Sequence, residues 1–279
     1  MTHLGFAYTP TSEMAVELRE RALGWCDQNG VEAWAQPAEE AHQDRARLAA
    51  TEVVVVLGGD GTFLRAAQAA ADGKTAILGV NVGKVGFLSK ADHHALETVL
   101  EQLRTDDYEL EPRLMLDVRV VPGAGRDGGS SHVALNEAAV VRGGHAQVMH
   151  LAVDVGDSRV ATYVCDGVVV ASPTGSTGYS FSAGGPIIEP TSRSLVVTPI
   201  AAYLTPLRSS VVGPQHVVRA TVKAAHDSLV SIDGRVDVPL EVGDEVEVRA
   251  RGKPIIFIQP RGALPFWDLL RQKATLLPD

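Results

Sequence analysis

A single aspartate lies within a glycine-rich turn, a combination of residue types that suits chemistry on phosphates. Gly58, Gly59, Asp60 and Gly61 directly follow the apolar run Val53–Leu57, which predicts a strand buried on both faces. Glycines let the backbone approach a ligand closely. A carboxylate does not bind phosphate, so Asp60 has another role. It either forms a plain tight turn, or serves phosphoryl transfer by meeting a substrate hydroxyl or Mg²⁺.

The residues after the turn have helix-forming composition. We expect a helix over Thr62–Ala71, capped by Thr62, whose positive dipole end points at the turn and suits a phosphate there. Arg65 then lies in the first helical turn, where a cation opposes the dipole. That small penalty is explained if the guanidinium faces a substrate phosphate, and the alternative is a solvated arginine.

A second glycine-bearing loop, Asn81–Leu88, follows the next predicted strand, Ala76–Val80. Ligands of open α/β sheets bind at the carboxyl ends of the strands. We therefore expect this loop at the same sheet edge as Asp60. The alternative is a connector whose glycines serve only for turning.

Strands and helices alternate in the first part of the chain, which predicts a Rossmann-like parallel sheet with right-handed crossovers. The predicted strands are Leu4–Tyr8, Val31–Ala35, Val53–Leu57 and Ala76–Val80. The predicted helices are Ser12–Asn29, Thr62–Ala71 and Asp92–Arg104, with a helical or loop segment at Glu39–Ala49. Helical spacing predicts that the first helix buries Ala15, Leu18, Ala22, Trp25 and Cys26, and that the last buries Leu96, Val99, Leu100 and Leu103.

The pattern changes after about Glu111 to short alternating runs separated by Gly, Asp and Pro, which predicts a β-rich domain. The closing segment Pro265–Leu277 has helical spacing and is expected to return to the first domain. We therefore predict an α/β domain over 1–111, completed by 262–279, and a β-rich domain over 112–261. The predicted strands of the second domain are Leu116–Val121, His132–Val141, Leu151–Val155, Val160–Val164, Val168–Ala171, Val217–Ala224, Leu229–Ile232, Val246–Arg249 and Ile255–Ile258.

Composition limits the partners of this chain. A formal net charge of −9 without a cluster of Lys and Arg argues against a nucleic acid or an anionic membrane. No apolar run approaches the roughly 20 residues that span a bilayer, and no basic and apolar leader is present, so we expect a cytoplasmic protein. Cys26 and Cys165 lack ligand spacing, so we expect buried thiols and no metal site of the protein's own.

Two polar patterns mark the second domain. Asn136 and Glu137 interrupt the apolar run Val133–Val141, as a strand bulge or as an ordinary polar pair of an edge strand. Asp166–Pro186 is a long segment rich in glycine and hydroxyl side chains, which can surround a polyhydroxylated ligand that carries phosphates. A long irregular segment between strands is typically functional or disordered.

Taken together, these segments resemble the NAD kinase family. Gly58–Thr62 is similar to its GGDGT motif, and Asn81–Leu88 to its NxGxxGFL loop. Asn136-Glu137 and Asp166–Pro186 are similar to its NE pair and its long DGxxxxxPTGSTxYSxSAGGP motif. Asp233-Gly234 and the helix at Phe266–Lys273 also match. The resemblance implies a kinase that phosphorylates the adenosine ribose 2′-hydroxyl of NAD.

The resemblance also implies roles for particular residues. Asp60 would accept the proton of the 2′-hydroxyl, with Gly59 and Gly61 forming the phosphate-facing turn. ATP or polyphosphate with a divalent metal, expected to be Mg²⁺, would be the phosphoryl donor. A homodimer or homotetramer would share the ligand pocket. The residues implied to contact the dinucleotide are Asn136, Glu137, Asp166, Thr177, Gly178, Tyr179, Ser180 and Ser182.

Two other functions stay open at this point. Lipid kinases use a related glycine turn, although the segment after Asp166 offers hydroxyls rather than an apolar lid for acyl chains. A non-catalytic NAD sensor is the other, and the intact Asp60 argues against it. The chain departs from the family pattern at Gly178, where the family often has Ala, and at Arg235, where the family often has Gln or His.

Overall fold

The structure is a computed structural model that describes residues 3–41, 43–83, 86–144, 147–203, 205 and 207–275. The chain divides into two compact units. Unit 1 comprises Met1–Arg113 and Pro254–Asp279, and unit 2 comprises Leu114–Lys253. The predicted changeover at 111–112 lies two residues before the first of these bounds, and the one at 261–262 lies eight residues after the second.

The strands, in chain order, are β1 His3–Tyr8, β2 Glu32–Pro37, β3 Val53–Leu57, β4 Ala76–Asn81, β5 Ala91–Asp92, β6 Tyr108–Arg113, β7 Leu116–Val121, β8 Ser130–Ala134, β9 Glu137–Arg142, β10 Met149–Val155, β11 Ser158–Cys165, β12 Gly167–Ala171, β13 Leu195–Ile200, β14 Ser210–Val212, β15 Val217–Ala224, β16 Ser228–Ile232, β17 Val236–Leu240, β18 Glu245–Ala250 and β19 Ile255–Pro260. The α-helices are α1 Glu13–Gln28, α2 Arg45–Ala50, α3 Asp60–Ala70, α4 Leu96–Arg104, α5 Tyr179–Ser182 and α6 Phe266–Thr275, and short 3-10 helices cover His93–Ala95 and Thr174–Thr177.

Unit 1 is built on one sheet with the strand order β2-β1-β3-β4-β19-β6, and β5 pairs with β4. The strands from β2 to β19 run parallel, as predicted, while β6 is an antiparallel edge strand. The sequence analysis placed Ile255–Ile258 in the β-rich domain, whereas β19 joins the sheet of unit 1. Its apolar pattern is common to strands of either sheet type, so spacing alone could not assign the strand to a sheet.

Helices α1 and α4 follow their predicted faces. Ser12 caps α1 and accepts a hydrogen bond from the N–H group of Ala15 (3.4 Å), and Gly30 lies beyond the helix end with a φ of 66°. The buried residues of α4 are Leu96, Val99, Leu100 and Leu103, as the spacing predicted. Both helices pack against apolar residues of β1, β3 and β4 in one core.

The closing helix α6 belongs to unit 1, which confirms the predicted return of the chain. Leu269 is buried, and the ammonium group of Lys273 lies 4.6 Å from the centre of the Phe87 ring. A cation over an aromatic face is attracted by the ring quadrupole. Leu277, which was part of the predicted stripe, lies outside the described residues.

Unit 2 is a sandwich of two six-stranded antiparallel sheets around one apolar core. The first sheet has the order β11-β10-β15-β18-β7-β8, and the second sheet has the order β14-β13-β12-β9-β16-β17. Alternate residues of the strands point into the core, which is the pattern expected of half-buried strands. The predicted β-rich domain is therefore confirmed.

The prediction of one strand over His132–Val141 was wrong. The structure ends β8 at Ala134 and begins β9 at Glu137, and these strands belong to different sheets. The sequence pattern also did not predict β5, β6, β13, β14 and β17. Strand β5 has only two residues, and β6, β14 and β17 are edge strands of their sheets. Strands β6, β13 and β17 each contain a proline, which lowers strand propensity.

Both cysteines are buried, as predicted, and burial raises the pKa of the Cys26 and Cys165 thiols to about 11. Thiols of this kind are inert because the reactive form is the thiolate. Among the helices that the structure describes, none is long and apolar enough to cross a membrane.

The core of unit 1 gives a matched pair of variants. Leu100 on the inner face of α4 is fully buried, whereas Leu110 on the edge strand β6 is 61% exposed. We expect Leu100→Ala to lower the free energy of unfolding by about 2–5 kcal/mol, because it leaves a cavity. Leu110→Ala is expected to change it by less than about 0.5 kcal/mol. Urea unfolding of both variants measures this, and equal costs would contradict the assigned core.

Candidate active site

Asp60 is the first residue of α3, so the acid belongs to the helix and not to the turn before it. Gly59 is the N-cap, with extended backbone, and its carbonyl accepts the N–H group of Phe63 (3.0 Å). The prediction that the helix begins at Thr62, capped by Thr62, was wrong. Thr62 is the third residue of α3 and is buried, so close to Gly58 that a Cβ at Gly58 would lie 2.6 Å from the Thr62 Oγ1 atom.

The carboxylate of Asp60 is held by the second glycine loop. The Phe87 N–H group donates to Oδ2 (3.0 Å), and the Leu88 N–H group donates to Oδ1 (3.3 Å). A Cβ at Gly86 would lie 1.9 Å from Oδ1, so only glycine fits there. The prediction that both loops share one edge of the sheet is confirmed for residues 86–88, while Lys84 and Val85 lie outside the described residues.

Arg65 forms an ion pair with Glu39, with 3.5 Å between the Arg65 Nη2 and Glu39 Oε1 atoms. The Arg65 side chain is 33% exposed and that of Glu39 is 65% exposed. An ion pair this exposed contributes little stability. This ion pair does not test the predicted contact between Arg65 and a substrate phosphate, which stays a prediction.

In unit 2, a buried aspartate organises the segment between β8 and β9. Asp233 accepts the N–H groups of Leu135 (2.9 Å), Asn136 (2.8 Å) and Glu137 (3.0 Å). Asp233 and Gly234 form the turn between β16 and β17, with φ values of 51° and 64°. Asp233 and Gly234 are the central residues of this turn, which Arg235 closes by donating its N–H group to the Ile232 carbonyl (3.0 Å). An Asp-Gly pair favours a turn with positive φ at both central positions. The sequence analysis noted the pair but gave it no role.

The main chain of Asn136 is fixed by neighbouring residues. Its carbonyl accepts the Ser172 N–H group (2.8 Å), and a Cβ at Gly175 would lie 2.1 Å from the same oxygen. The Asn136 side chain leaves its Oδ1 atom buried without a hydrogen-bond partner among the described residues. A buried acceptor in this state costs free energy until a donor reaches it.

Glu137 is 8% exposed, and its Oε2 atom likewise has no partner in the described part of the chain. Burial, and to a lesser degree the charge of Asp233, raises the pKa of Glu137 to about 8. Such a carboxyl group can hold its proton at neutral pH and donate it in a hydrogen bond. Gly178 lies beside it, where a Cβ would be 3.1 Å from Oε2.

A cavity of about 630 Å³ opens over the second sheet of unit 2, on the face that points away from the core. Its volume is in the range of small-molecule and cofactor sites. Its floor is apolar and its rim is polar, with an ion pair between Arg142 Nε and Asp166 Oδ1 (2.9 Å). The apolar floor includes Ala139, Val141, Ile200 and Leu229, and the polar rim includes Glu137, Asp166, Arg142 and Tyr179.

The hydroxyl-rich segment is more ordered than its sequence indicated, because β12, a 3-10 helix and α5 cover most of it. Tyr179 lines the cavity and is 42% exposed. Ser180 instead turns inward, where its hydroxyl lies 3.0 Å from that of Thr198. Thr177 donates its hydroxyl to the Thr174 carbonyl (3.3 Å), and Ser182 is exposed. The structure therefore brings Glu137, Asp166 and Tyr179 to one cavity, but not the hydroxyl of Ser180.

No cluster of three or more His, Cys, Asp or Glu side chains that could hold a metal ion occurs in the described ranges. Mg²⁺ commonly keeps several waters and is bound through substrate phosphates with one or two carboxylates.

A fixed carboxylate at a helix N-terminus, with glycines around it, is an arrangement that suits phosphoryl transfer. The comparisons with known proteins agree. Residues 1–108 match the family model of the ATP-NAD kinase N-terminal domain, and residues 135–259 match that of the ATP-NAD kinase C-terminal domain. The chain belongs to the NAD kinase family.

Individual relatives are similar over nearly the whole chain. A protein of Heliobacterium modesticaldum named NAD kinase is 36% identical, with 98% of each chain covered. The solved structure of an NAD kinase from Archaeoglobus fulgidus in complex with ATP has a TM-score of 0.77 at 26% identity and covers 99% of this chain and 100% of that one. Yeast NADH kinase complexed with NADH has the same fold, with a TM-score of 0.85 at 24% identity over 99% and 87% of the two chains.

The raised pKa of Glu137 makes stability depend on pH. Folded Glu137 keeps its proton up to about pH 8, whereas the unfolded residue ionises near 4.5. Its stabilising contribution is therefore complete below about pH 4.5 and is lost as the pH rises to about 8. We expect the melting temperature of the wild type to fall relative to Glu137→Gln between about pH 5 and about pH 8.5. Parallel melting curves of the two proteins would contradict this.

Proposed function

We propose that this protein is an NAD kinase, which transfers the γ-phosphoryl group of a nucleoside triphosphate to the adenosine ribose 2′-hydroxyl of NAD. The new bond joins the 2′-oxygen to phosphorus, and the bond between the γ-phosphorus and its bridging oxygen breaks. The hydroxyl proton passes to Asp60, and the products are NADP and a nucleoside diphosphate. Membership of the NAD kinase family supports this reaction over those of a lipid kinase or a non-catalytic sensor.

The observation that carries the proposal is the fixed carboxylate of Asp60. Two main-chain N–H groups from residues 87 and 88 hold its oxygens, and each oxygen keeps a lone pair that can accept the hydroxyl proton. Phosphoryl transfer needs positioning and charge stabilisation more than a strong base. A carboxylate held by main-chain donors provides the positioning.

The donor site is proposed at the start of α3. A Cβ at Gly59 or Gly61 would meet no other part of the described chain within 4 Å, so a ligand has room beside these glycines. The free N–H groups of the first helical turn suit phosphate oxygens. ATP is the proposed donor, entering as its Mg²⁺ complex, and the ATP complex of the Archaeoglobus fulgidus relative supports this choice. Polyphosphate stays a predicted alternative.

The dinucleotide is proposed to bind in the cavity of unit 2. Asn136 and Glu137 would contact ribose hydroxyls with their unpaired oxygens, and Tyr179 offers an exposed ring for an aromatic base. Asp166 would take part through the rim of the cavity. Ser180 and Thr177 are better explained as supports of the segment, since their hydroxyls bond within the protein. The cytoplasmic location and the homodimer or homotetramer remain predictions.

Replacement of the proposed proton acceptor tests the mechanism. We expect Asp60→Asn to fold normally and to lose about 100-fold or more in turnover, because the amide cannot accept the proton. Asp44→Asn is the matched control, since Asp44 also accepts a main-chain N–H group at a helix start (2.9 Å from Arg47 N). Formation of NADP from NAD and ATP is measured. A near-wild-type rate for Asp60→Asn would remove Asp60 from the chemistry.

The glycine loop offers a second test. In Gly86→Ala the new methyl group would lie 1.9 Å from the Asp60 Oδ1 atom and displace the carboxylate. We expect about a 100-fold loss of turnover, the scale of a displacement of about 1 Å. Gly83→Ala, with no atom within 4 Å of its Cβ, should stay active. Equal rates for the two variants would show that the loop does not position Asp60.

A further inference from the structure

Asp233 accepts hydrogen bonds from three consecutive main-chain N–H groups. Leu135, Asn136 and Glu137 lie where the chain leaves the sheet of β8 and enters that of β9, so their N–H groups need an acceptor outside a ladder. One carboxylate accepts all three within 3.0 Å, and the Asp233 N–H group donates back to the Glu137 carbonyl (3.0 Å). This reciprocal pairing fixes the backbone of the segment.

The turn that presents Asp233 is itself constrained. Asp233 is 5% exposed and has a φ of 51°, a left-handed conformation that Asp and Asn tolerate better than most residues. Gly234 follows with a φ of 64° and closes the hairpin of β16 and β17. The register of that hairpin pairs Ile232 with Val236, so the carboxylate cannot shift along the segment without breaking strand pairs.

The segment held by Asp233 carries two polar side chains whose orientation matters for a ligand. Asn136 Oδ1 and Glu137 Oε2 are both buried without a hydrogen-bond partner among the described residues. Glu137 also lines the cavity. A small rotation of the backbone would redirect both oxygens, so the direction in which they point depends on Asp233.

We propose that Asp233 is a positioning residue for dinucleotide binding: it holds the Asn136-Glu137 backbone so that both side chains meet the ligand. The inference rests on the proposed function, since the ligand is NAD. Asp233 touches Glu137 and its neighbours rather than the substrate, so its effect reaches the ligand through them.

Electrostatics gives the proposal a signature that a purely structural role lacks. The charged or titratable groups around the cavity are Glu137, Asp166, Arg142, Tyr179 and Asp237, and Arg142 is paired with Asp166. Asp233 is the charge that raises the pKa of Glu137 in addition to burial. Removal of that charge lowers the pKa of Glu137 while the burial of Glu137 persists.

The test compares Asp233→Asn with a matched control. Asparagine keeps the size of the side chain and tolerates the left-handed turn, but it removes the charge and replaces one acceptor with a donor. We expect NAD to bind about tenfold more weakly, with the affinity for ATP unchanged. The pH midpoint of NAD binding should also move to lower pH, whereas Glu137→Gln should abolish that transition.

Asp244→Asn is the control, because Asp244 is also 5% exposed and accepts the main-chain N–H groups of Gly123 (2.8 Å) and Glu241 (2.8 Å). It does not line the cavity of unit 2. We expect this variant to lose stability but to keep the wild-type NAD affinity and pH midpoint. If Asp233→Asn folds and also keeps both, or if Asp244→Asn loses both equally, the positioning role is overturned.

Hydrogen exchange of the wild type covers the case in which Asp233→Asn does not fold. NAD should slow exchange of the amides of residues 135–137 more than that of Gly123 and Glu241, and equal slowing would overturn the proposal. Titration calorimetry with NAD alone tests the role of Asp233 separately from the proposed function. A wild type that binds NAD without forming NADP contradicts the proposed function, while the binding data still test Asp233.

Discussion

Main-chain N–H groups that leave a regular element must find acceptors, and in this protein aspartate carboxylates provide them at the places that matter most. Asp60 accepts two such groups from the second glycine loop, and Asp233 accepts three from the crossing between β8 and β9. A hydrogen bond to a charged acceptor is stronger than one between neutral groups. Each carboxylate therefore fixes one irregular segment on which the chemistry of its unit depends.

Close approach of these segments explains why several glycines are required. At Gly86 a side chain would collide with the Asp60 carboxylate, and at Gly175 it would collide with the Asn136 main chain. Neither glycine has a positive φ, so backbone freedom is not the reason for either of them. The space that they leave is what allows a carboxylate and a carbonyl to bond directly to a neighbouring loop.

Much of the fold was predictable from local patterns. The bounds of β3 and β15 agree with the predicted strands, and the buried face of α4 agrees residue by residue, because burial of one face imposes a period on the sequence. The break between β8 and β9 was not predictable, since the apolar run continues through Leu135. The acceptor for the main-chain N–H groups at this break is Asp233, which lies 96 to 98 positions away in the chain.

The candidate site divides in the same way. The sequence by itself determined which groups are available: glycines and Asp60 after a buried strand, an Asn-Glu pair, a hydroxyl-rich segment and an Asp-Gly turn. Only the tertiary structure decided how they are used. It turned Ser180 inward, placed Asp60 inside α3 and left Glu137 buried beside Asp233 with a pKa of about 8. Residue type sets what a group can do, but hydrogen-bond partners and burial come from segments far apart in the chain, so they exist only once the chain has folded.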